Sequence, residues 1–222
     1  MSILQRNNYK ETWNGLSDTF QNAVINVTGD ATEKQLQEFG KIDSQKIIEI
    51  TEISTSDIVL EIGCGVGRLG FTIADKCREW IGCDISGNML NHAKMRLTEK
   101  RNVNFVELNE NNLSSVPDKS VDVVYCSVVF MHLEEWDRFS YIEDSFRVLR
   151  NGGRLYVDNF TIESEDGWQI FRNHQEIPPL KRKPEISKSS NSLEFDVYFR
   201  KAGFTHFQSR VSKEWVIGLA RK

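Results

Sequence analysis

The run Val59-Leu60-Glu61-Ile62-Gly63-Cys64-Gly65-Val66-Gly67-Arg68 limits the folds open to this chain more than any other feature. An apolar stretch from Ile58 to Ile62 ends abruptly in alternate glycines. Such a run reads as a buried strand that delivers the chain into a tight turn. Gly63 and Gly65 admit backbone angles and a close ligand approach that a side chain would block. Gly67 falls where the next helix is expected to begin, and backbone N–H groups there can face a polar ligand. Asp84 stands 21 residues after Gly63, at the end of a second candidate strand over 80–84. In a βαβ unit this spacing sets a carboxylate beside the turn, where it can accept from both ribose hydroxyls of a nucleoside. Turn and carboxylate together point to an adenosine-containing cofactor.

The alternation continues downstream. Strands are expected over 103–108, 121–127 and 154–158, and helices over 69–77, 89–100 and 141–150. The last helix is expected to stop at Asn151-Gly152-Gly153. Short apolar strands alternating with helices predict an α/β chain with a mostly parallel sheet covered on both faces. Residues 1–55 read as an N-terminal helical cap. Trp13, Leu16, Phe20 and Val24 form one helical stripe, and Asp43 or Ser44 caps a helix through Ile50. Residues 56–158 read as the cofactor-binding core. Residues 159–192 hold Pro178-Pro179, Lys181-Arg182-Lys183 and a serine-rich stretch, and read as a lid over an acceptor. Residues 193–222 read as a closing helix ended by Gly203, followed by an antiparallel strand pair over 204–211 and 215–220. A chain of 222 residues suits one such domain.

Composition excludes little but excludes it usefully. The formal net charge is −4, against the basic excess of a general nucleic-acid binder. The start is polar and unlike a signal peptide, and no apolar run approaches the ~18–20 residues of a membrane span. A cytoplasmic protein without membrane attachment is expected. Cys64, Cys77, Cys83 and Cys126 have neither zinc-ribbon nor disulfide-framework spacing and read as free thiols, and no metal site is expected.

The glycine run is not a dinucleotide fingerprint. After Gly63 and Gly65 the third small position of that pattern is Arg68, which would crowd helix–strand packing. The spacing E-x-G-x-G-x-G instead resembles the first motif of the class I S-adenosylmethionine-dependent methyltransferases. Further stretches are similar to the same family in order: Cys83-Asp84-Ile85-Ser86 with Asn88-Met89-Leu90, residues 117–124, Val129-Phe130-Met131-His132-Leu133, residues 147–155, and Ala202-Gly203-Phe204 with the chain's ending. The resemblance implies a Rossmann-like, doubly wound sheet of seven strands, the last inserted antiparallel. It implies S-adenosyl-L-methionine as cofactor, with Gly63, Gly65 and Gly67 bordering the methionine part and Glu61 orienting its amino group. Asp84 would hold the ribose, Ile85 and Met89 would flank the adenine, and the backbone at Cys126 or Ser127 would meet the amino group. The family's acidic residue after the third strand aligns with Asn109, or with Glu110 after a one-residue slip.

Methyl transfer needs alignment of donor and acceptor more than a nucleophile, and a general base only where the acceptor loses a proton. His132, after the fourth strand, is the first candidate for that base or for positioning an acceptor. A structural histidine is the competing reading. Asp158, with Asn159 beside it, follows the fifth strand and is expected to face the acceptor, with helix capping as its alternative. His174 in the lid is a third candidate. Tyr9 and Trp13 cover the cofactor or pack as helix. Glu134, Glu135 and Asp137 read as the acidic first turn of a helix. A small-molecule acceptor is expected, with a protein or RNA acceptor, or a non-catalytic cofactor binder, as alternatives. Oligomeric state is not legible.

Overall fold

The computed structural model describes residues 8–29 and 32–222. Of the expected cap over 1–55, residues 1–7 and 30–31 lie outside the described residues. The seven strands are β1 (Ile58–Ile62), β2 (Glu79–Asp84), β3 (Val103–Glu107), β4 (Val121–Cys126), β5 (Leu149–Phe160), β6 (His206–Ser212) and β7 (Trp215–Arg221). They form one sheet in the order β3-β2-β1-β4-β5-β7-β6. The first five are parallel, and β7 runs antiparallel to both β5 and β6. β6 returns as β7 through a two-residue turn in which Lys213 takes a φ of 52°. The central strands are buried on both faces, as Val59, Leu60, Val123 and Val124 show, because helices cover each side.

The helices are α1 (Tyr9–Leu16), α2 (Phe20–Thr28), α3 (Glu33–Thr51), α4 (Gly70–Ile73), α5 (Gly87–Arg96), α6 (Glu135–Val148), α7 (Glu165–Gln175) and α8 (Ser192–Ala202). The apolar stripe from Trp13 to Val24 is split between two helices, because Thr19 is extended and caps α2 by accepting from Asn22 N–H. Asp43 and Ser44 cap nothing. They lie inside α3, which starts ten residues earlier on a Thr32–Gln35 capping box. Ser44 is buried and donates to the carbonyl of Leu69, and Asp43 pairs with Arg68 at 2.6 Å. α6 ends at Val148, before the glycines expected to stop it. Leu149 is already extended, and Gly152, at φ 79°, lies inside the long strand β5.

The segment over 159–192 is not structureless. It carries α7, whose only buried residue is Gly167, and then a strap that returns to the sheet. Arg138 of α6 anchors this strap. Its guanidinium is buried, donates to the Phe130 carbonyl and to Ser190 Oγ, and pairs with Glu194 at 3.1 Å. No helix among the described residues is long and apolar enough to cross a membrane.

Candidate active site

The parallel order reverses between β1 and β4, since the crossovers from β1 lead one way and those from β4 the other. An open α/β sheet binds ligands at the carboxyl ends of strands at such a switch. A cleft of about 890 Å³, measured out to its open mouth, lies there. Its walls come from the loop after β1, the ends of β2 and β3, the turn after β4, and α1 and α2, which cover it.

The floor is the glycine turn. Gly63 N–H and Cys64 N–H donate to the Cys83 carbonyl at 2.8 and 2.9 Å, which ties the turn to the end of β2. Gly63 has a φ of 70°, and a Cβ there would stand 2.4 Å from Val129 Cγ2. A side chain would therefore be strained and would push away the turn after β4. Asp84 spans the same junction. One oxygen accepts from Gly65 N–H at 2.8 Å and the other from Ser86 N–H at 2.9 Å. Burial pushes its carboxyl up to about 6, against the pull of these donors. A carboxylate accepts up to about four hydrogen bonds, so two positions remain for a ligand.

Glu61 is buried beside the turn and also lines the cleft. Tyr125 donates to it, yet burial pushes its carboxyl up to about 8. His132 sits in a short 3₁₀ turn after β4. Its Nδ1 lies 2.8 Å from the Glu185 carbonyl in the strap, and the Trp13 ring meets its ring edge-on at 4.9 Å. A carbonyl only accepts, so Nδ1 carries the proton and Nε2 is left as an acceptor. Burial pushes the imidazole down to about 4, which keeps it neutral at physiological pH. Tyr9 of α1 lines the cleft. Its hydroxyl donates to Asp137 at 2.8 Å and accepts from Glu134 N–H at 3.0 Å.

Of the residues expected from sequence, Glu61, Gly63, Gly65, Asp84, Ile85, Met89, Ser127 and His132 meet around this cleft, and Tyr9 and Trp13 join them. Others do not. Gly67 serves packing, since a Cβ there would lie 2.3 Å from Leu97 Cδ1 beneath α5. Cys126 is buried in the core under the cleft. Asn109 and Glu110 are both exposed, because the chain bends away after Leu108, and Asn111 lines the wall instead. Asp158 does not line the cleft. It is buried, with one oxygen accepting from Val128 N–H at 2.7 Å and the other from Ser127 Oγ and Tyr156 Oη at 2.6 and 3.0 Å. Burial raises its pKa. Its neighbour Asn159 donates to Ser190 Oγ. His174 lies in the last turn of α7, outside the cleft wall. Sequence reasoning missed Asn111, Tyr141 of α6, and Arg68 as a wall residue. Only the position of Asn111 just past β3 could have signalled it. Glu134, Glu135 and Asp137 form the start of α6 as expected, and no group of three or more metal-ligating side chains occurs among the described residues.

Residues 59–153 match the family model described as methyltransferase domain. That stretch runs from the glycine turn through β4 to the start of β5, the part that builds the cleft floor. Over that stretch the chain is similar to the class I S-adenosylmethionine-dependent methyltransferases. It is 39% identical over 101 residues to a probable S-adenosylmethionine-dependent methyltransferase of Mycolicibacterium smegmatis, covering 45% of this chain and 36% of that one. It thus spans little more than a third of that relative's length. It is 25% identical over 214 residues to a probable methyltransferase of Aspergillus luteorubrus, covering 84% and 75%. The structure of Haemonchus contortus phosphoethanolamine N-methyltransferase 1, in complex with phosphoethanolamine and S-adenosylhomocysteine, shares the fold. Its TM-score is 0.70 at 17% identity, over 97% of this chain and 48% of that one. The family's cofactor is S-adenosylmethionine.

Proposed function

We propose that this protein is a methyltransferase that moves a methyl group from S-adenosylmethionine to a small-molecule acceptor. The observation that carries the reading is the pairing, in one cleft, of a side-chain-free glycine floor with two buried carboxyls, Glu61 and Asp84. A nucleoside bearing an amino acid fits that combination: the hydroxyls of its ribose suit the free lone pairs of Asp84, and its ammonium suits Glu61. Bound there, the cofactor supplies an electrophilic methyl on a sulfonium. Ile85 and Met89 offer the adenine apolar contacts, and Asn111, rather than Asn109 or Glu110, offers an amide to its edge.

The protein's own task is orientation and exclusion of water. Tyr9 and Trp13 close the cleft, and alignment of reactants in such an enclosure can lower a barrier by ~7–11 kcal/mol. His132 presents a neutral Nε2 to the acceptor's hydroxyl or amine N–H. With its pKa near 4 it is a weak base, so its contribution is a hydrogen bond that positions the acceptor. The segment 159–192 acts as the acceptor lid, a reading supported by the bonds from His132 to Glu185 and from Lys188 N–H to the Met131 carbonyl. The acidic net charge and an enclosed cleft favour a small acceptor over a nucleic acid. The phosphoethanolamine in the Haemonchus contortus structure of the same fold is a ligand of that size. Four free, buried cysteines suit the reducing cytoplasm.

Calorimetric titration with S-adenosylmethionine, S-adenosylhomocysteine and NADH tests the reading. Saturable binding of the two sulfur compounds and none of NADH is expected. A folded protein that binds neither sulfur compound would overturn it.

A further inference from the structure

Glu61 belongs to a buried chain of hydrogen bonds that the sheet builds at some cost. In the parallel register Glu61 of β1 stands opposite Tyr125 of β4 on one side and Gly82 of β2 on the other. Trp80 Nε1 donates to Tyr125 Oη at 2.9 Å, and Tyr125 Oη donates to Glu61 Oε2. Trp80 and Tyr125 are fully buried. The Trp80 ring reaches across β2 only because two glycines leave room for it. A Cβ at Gly82 would lie 2.3 Å from its Cη2, and one at Gly70 would lie 2.4 Å from its Cζ2.

The direction of this chain is fixed. An indole N–H only donates, so Tyr125 receives it on a lone pair and has its single proton free to give to Glu61. Oε2 is therefore always an acceptor. Glu61 lines the cleft, and when it is neutral its proton falls to Oε1, the oxygen that Tyr125 does not hold.

We propose that Tyr125, oriented by Trp80, is a positioning residue that pins one oxygen of Glu61 and so leaves a single carboxyl oxygen to select the cationic head of the ligand by giving up its proton. The proposal rests on the reading that S-adenosylmethionine occupies the cleft. The step balances simply: Oε1–H loses its proton to solvent as the ammonium arrives, and the ion pair replaces the neutral acid.

The groups around Glu61 leave it poised for this. Arg68, after β1, favours the charged form but is engaged by Asp43. Asp84 and Cys83 at the end of β2, Cys64 beside the turn, and Cys126 at the end of β4 all disfavour it or stay neutral, since burial raises every one of these thiols. With a carboxyl near 8, most Glu61 side chains are protonated at pH 7.

The experiment is calorimetric titration with S-adenosylhomocysteine from pH 6 to 9, in paired buffers of different ionisation heat. In the wild type, most of a proton is expected to leave at pH 7, with affinity rising from pH 6.5 toward 8. The ligand's own amino group titrates identically in every variant, so the comparison between variants carries the result. Tyr125→Phe removes a bond to the charged form. It is expected to move the rising limb up by about one pH unit and to lower affinity about tenfold at pH 7. Trp80→Phe is expected to shift the limb the same way by less, and it serves if Tyr125→Phe does not fold. Glu61→Gln is expected to abolish proton release. Release that persists in Glu61→Gln, or variant profiles that superimpose on the wild type while binding is retained, would overturn the relay alone. Failure of the wild type to bind would remove the reading of the cleft, and the relay with it.

Discussion

Asp158→Ala is the perturbation with the sharpest expected consequence. Val128 is a β-branched residue held at a φ of 62°, a conformation that costs about 1–3 kcal/mol and persists only where the surroundings enforce it. Asp158 is what enforces it. Its carboxylate receives Val128 N–H, Ser127 Oγ–H and Tyr156 Oη–H in a buried position. Removing it strands up to three donors, each costing about 1–3 kcal/mol when unsatisfied. Rotation of the two hydroxyls and release of strain at Val128 recover part, so a net loss of about 3–5 kcal/mol is expected. For a domain of this size that is a fall in Tm of about 6–20 °C, readable by circular dichroism. The turn after β4 should also relax. Val129, seated on Gly63, moves with it, and affinity for S-adenosylhomocysteine should fall about tenfold or more. Asp158→Asn keeps an acceptor for Val128 N–H and lets both hydroxyls accept from the amide, so it should lose under about 2 kcal/mol. Glycine adopts a φ of 62° without strain, so adding Val128→Gly to Asp158→Ala should recover about 1 kcal/mol. A Tm for Asp158→Ala within about 3 °C of wild type, or an asparagine variant no better than alanine, would refute the clamp.

Three further outcomes follow from the same geometry. Gly63→Ala should weaken S-adenosylhomocysteine binding at least about tenfold. Adding Val129→Ala should restore part of it, because the clash is with that side chain; equal binding by Gly63→Ala and wild type would count against the glycine floor. The ligand-free protein should lose stability as pH rises from 6.5 to 8. Glu61 binds its proton more tightly folded than unfolded, so its contribution is complete below pH ~4.3 and is lost as pH climbs to about 8. Asp84, raised to about 6, acts in the same direction lower down, and His132, lowered to about 4, acts oppositely below its ordinary value. Above pH 6.5 the loss amounts to about 2 kcal/mol, and Tm should fall much less over that range in Glu61→Gln, where only the buried thiols still contribute. Asn111→Ala should reduce S-adenosylhomocysteine affinity about fivefold while Asn109→Ala and His174→Ala leave it unchanged, and an effect at Asn109 equal to that at Asn111 would restore the alignment expected from sequence.

What was legible in the sequence is what the backbone itself does. Strand, glycine turn and terminal carboxylate repeat at fixed offsets because a βαβ unit has fixed dimensions, so Gly63, Gly65 and Asp84 could be found without coordinates. The strand-to-helix order likewise gave the sheet. What was missed depends on direction rather than order. Whether Asn109, Glu110 or Asn111 turns inward is decided by a bend after Leu108 that leaves no periodic mark. Asp158 looked like an acceptor ligand because it ends a strand at the right edge, but three donors from neighbouring elements consume it. Glycine pairs also misled. Gly152 and Gly153 suit a helix terminus, yet they fall in an irregular stretch of β5 where the register to β4 shifts and both bond to the backbone of Lys222.

Three buried carboxyls stand toward the carboxyl ends of β1, β2 and β5, the first two lining the cleft and the third behind its wall, and burial raises all of them. A raised pKa alone therefore does not separate a ligand-binding group from a scaffold group. The donors each one receives do separate them. Asp158 receives three from the protein, and its task is complete when the chain has folded. Asp84 receives two backbone N–H groups and keeps half its capacity, which suits a group that both shapes the turn and meets a neutral hydroxyl. Glu61 receives Tyr125 Oη–H on one oxygen and lines the cleft, so the cost of charging it is met only when a cation arrives. The same burial thus gives a clamp, a shared acceptor and a ligand-dependent acid: substituting the clamp should lower stability, and affinity only through the displaced turn; substituting the shared acceptor should lower both directly; and substituting the acid should lower chiefly affinity.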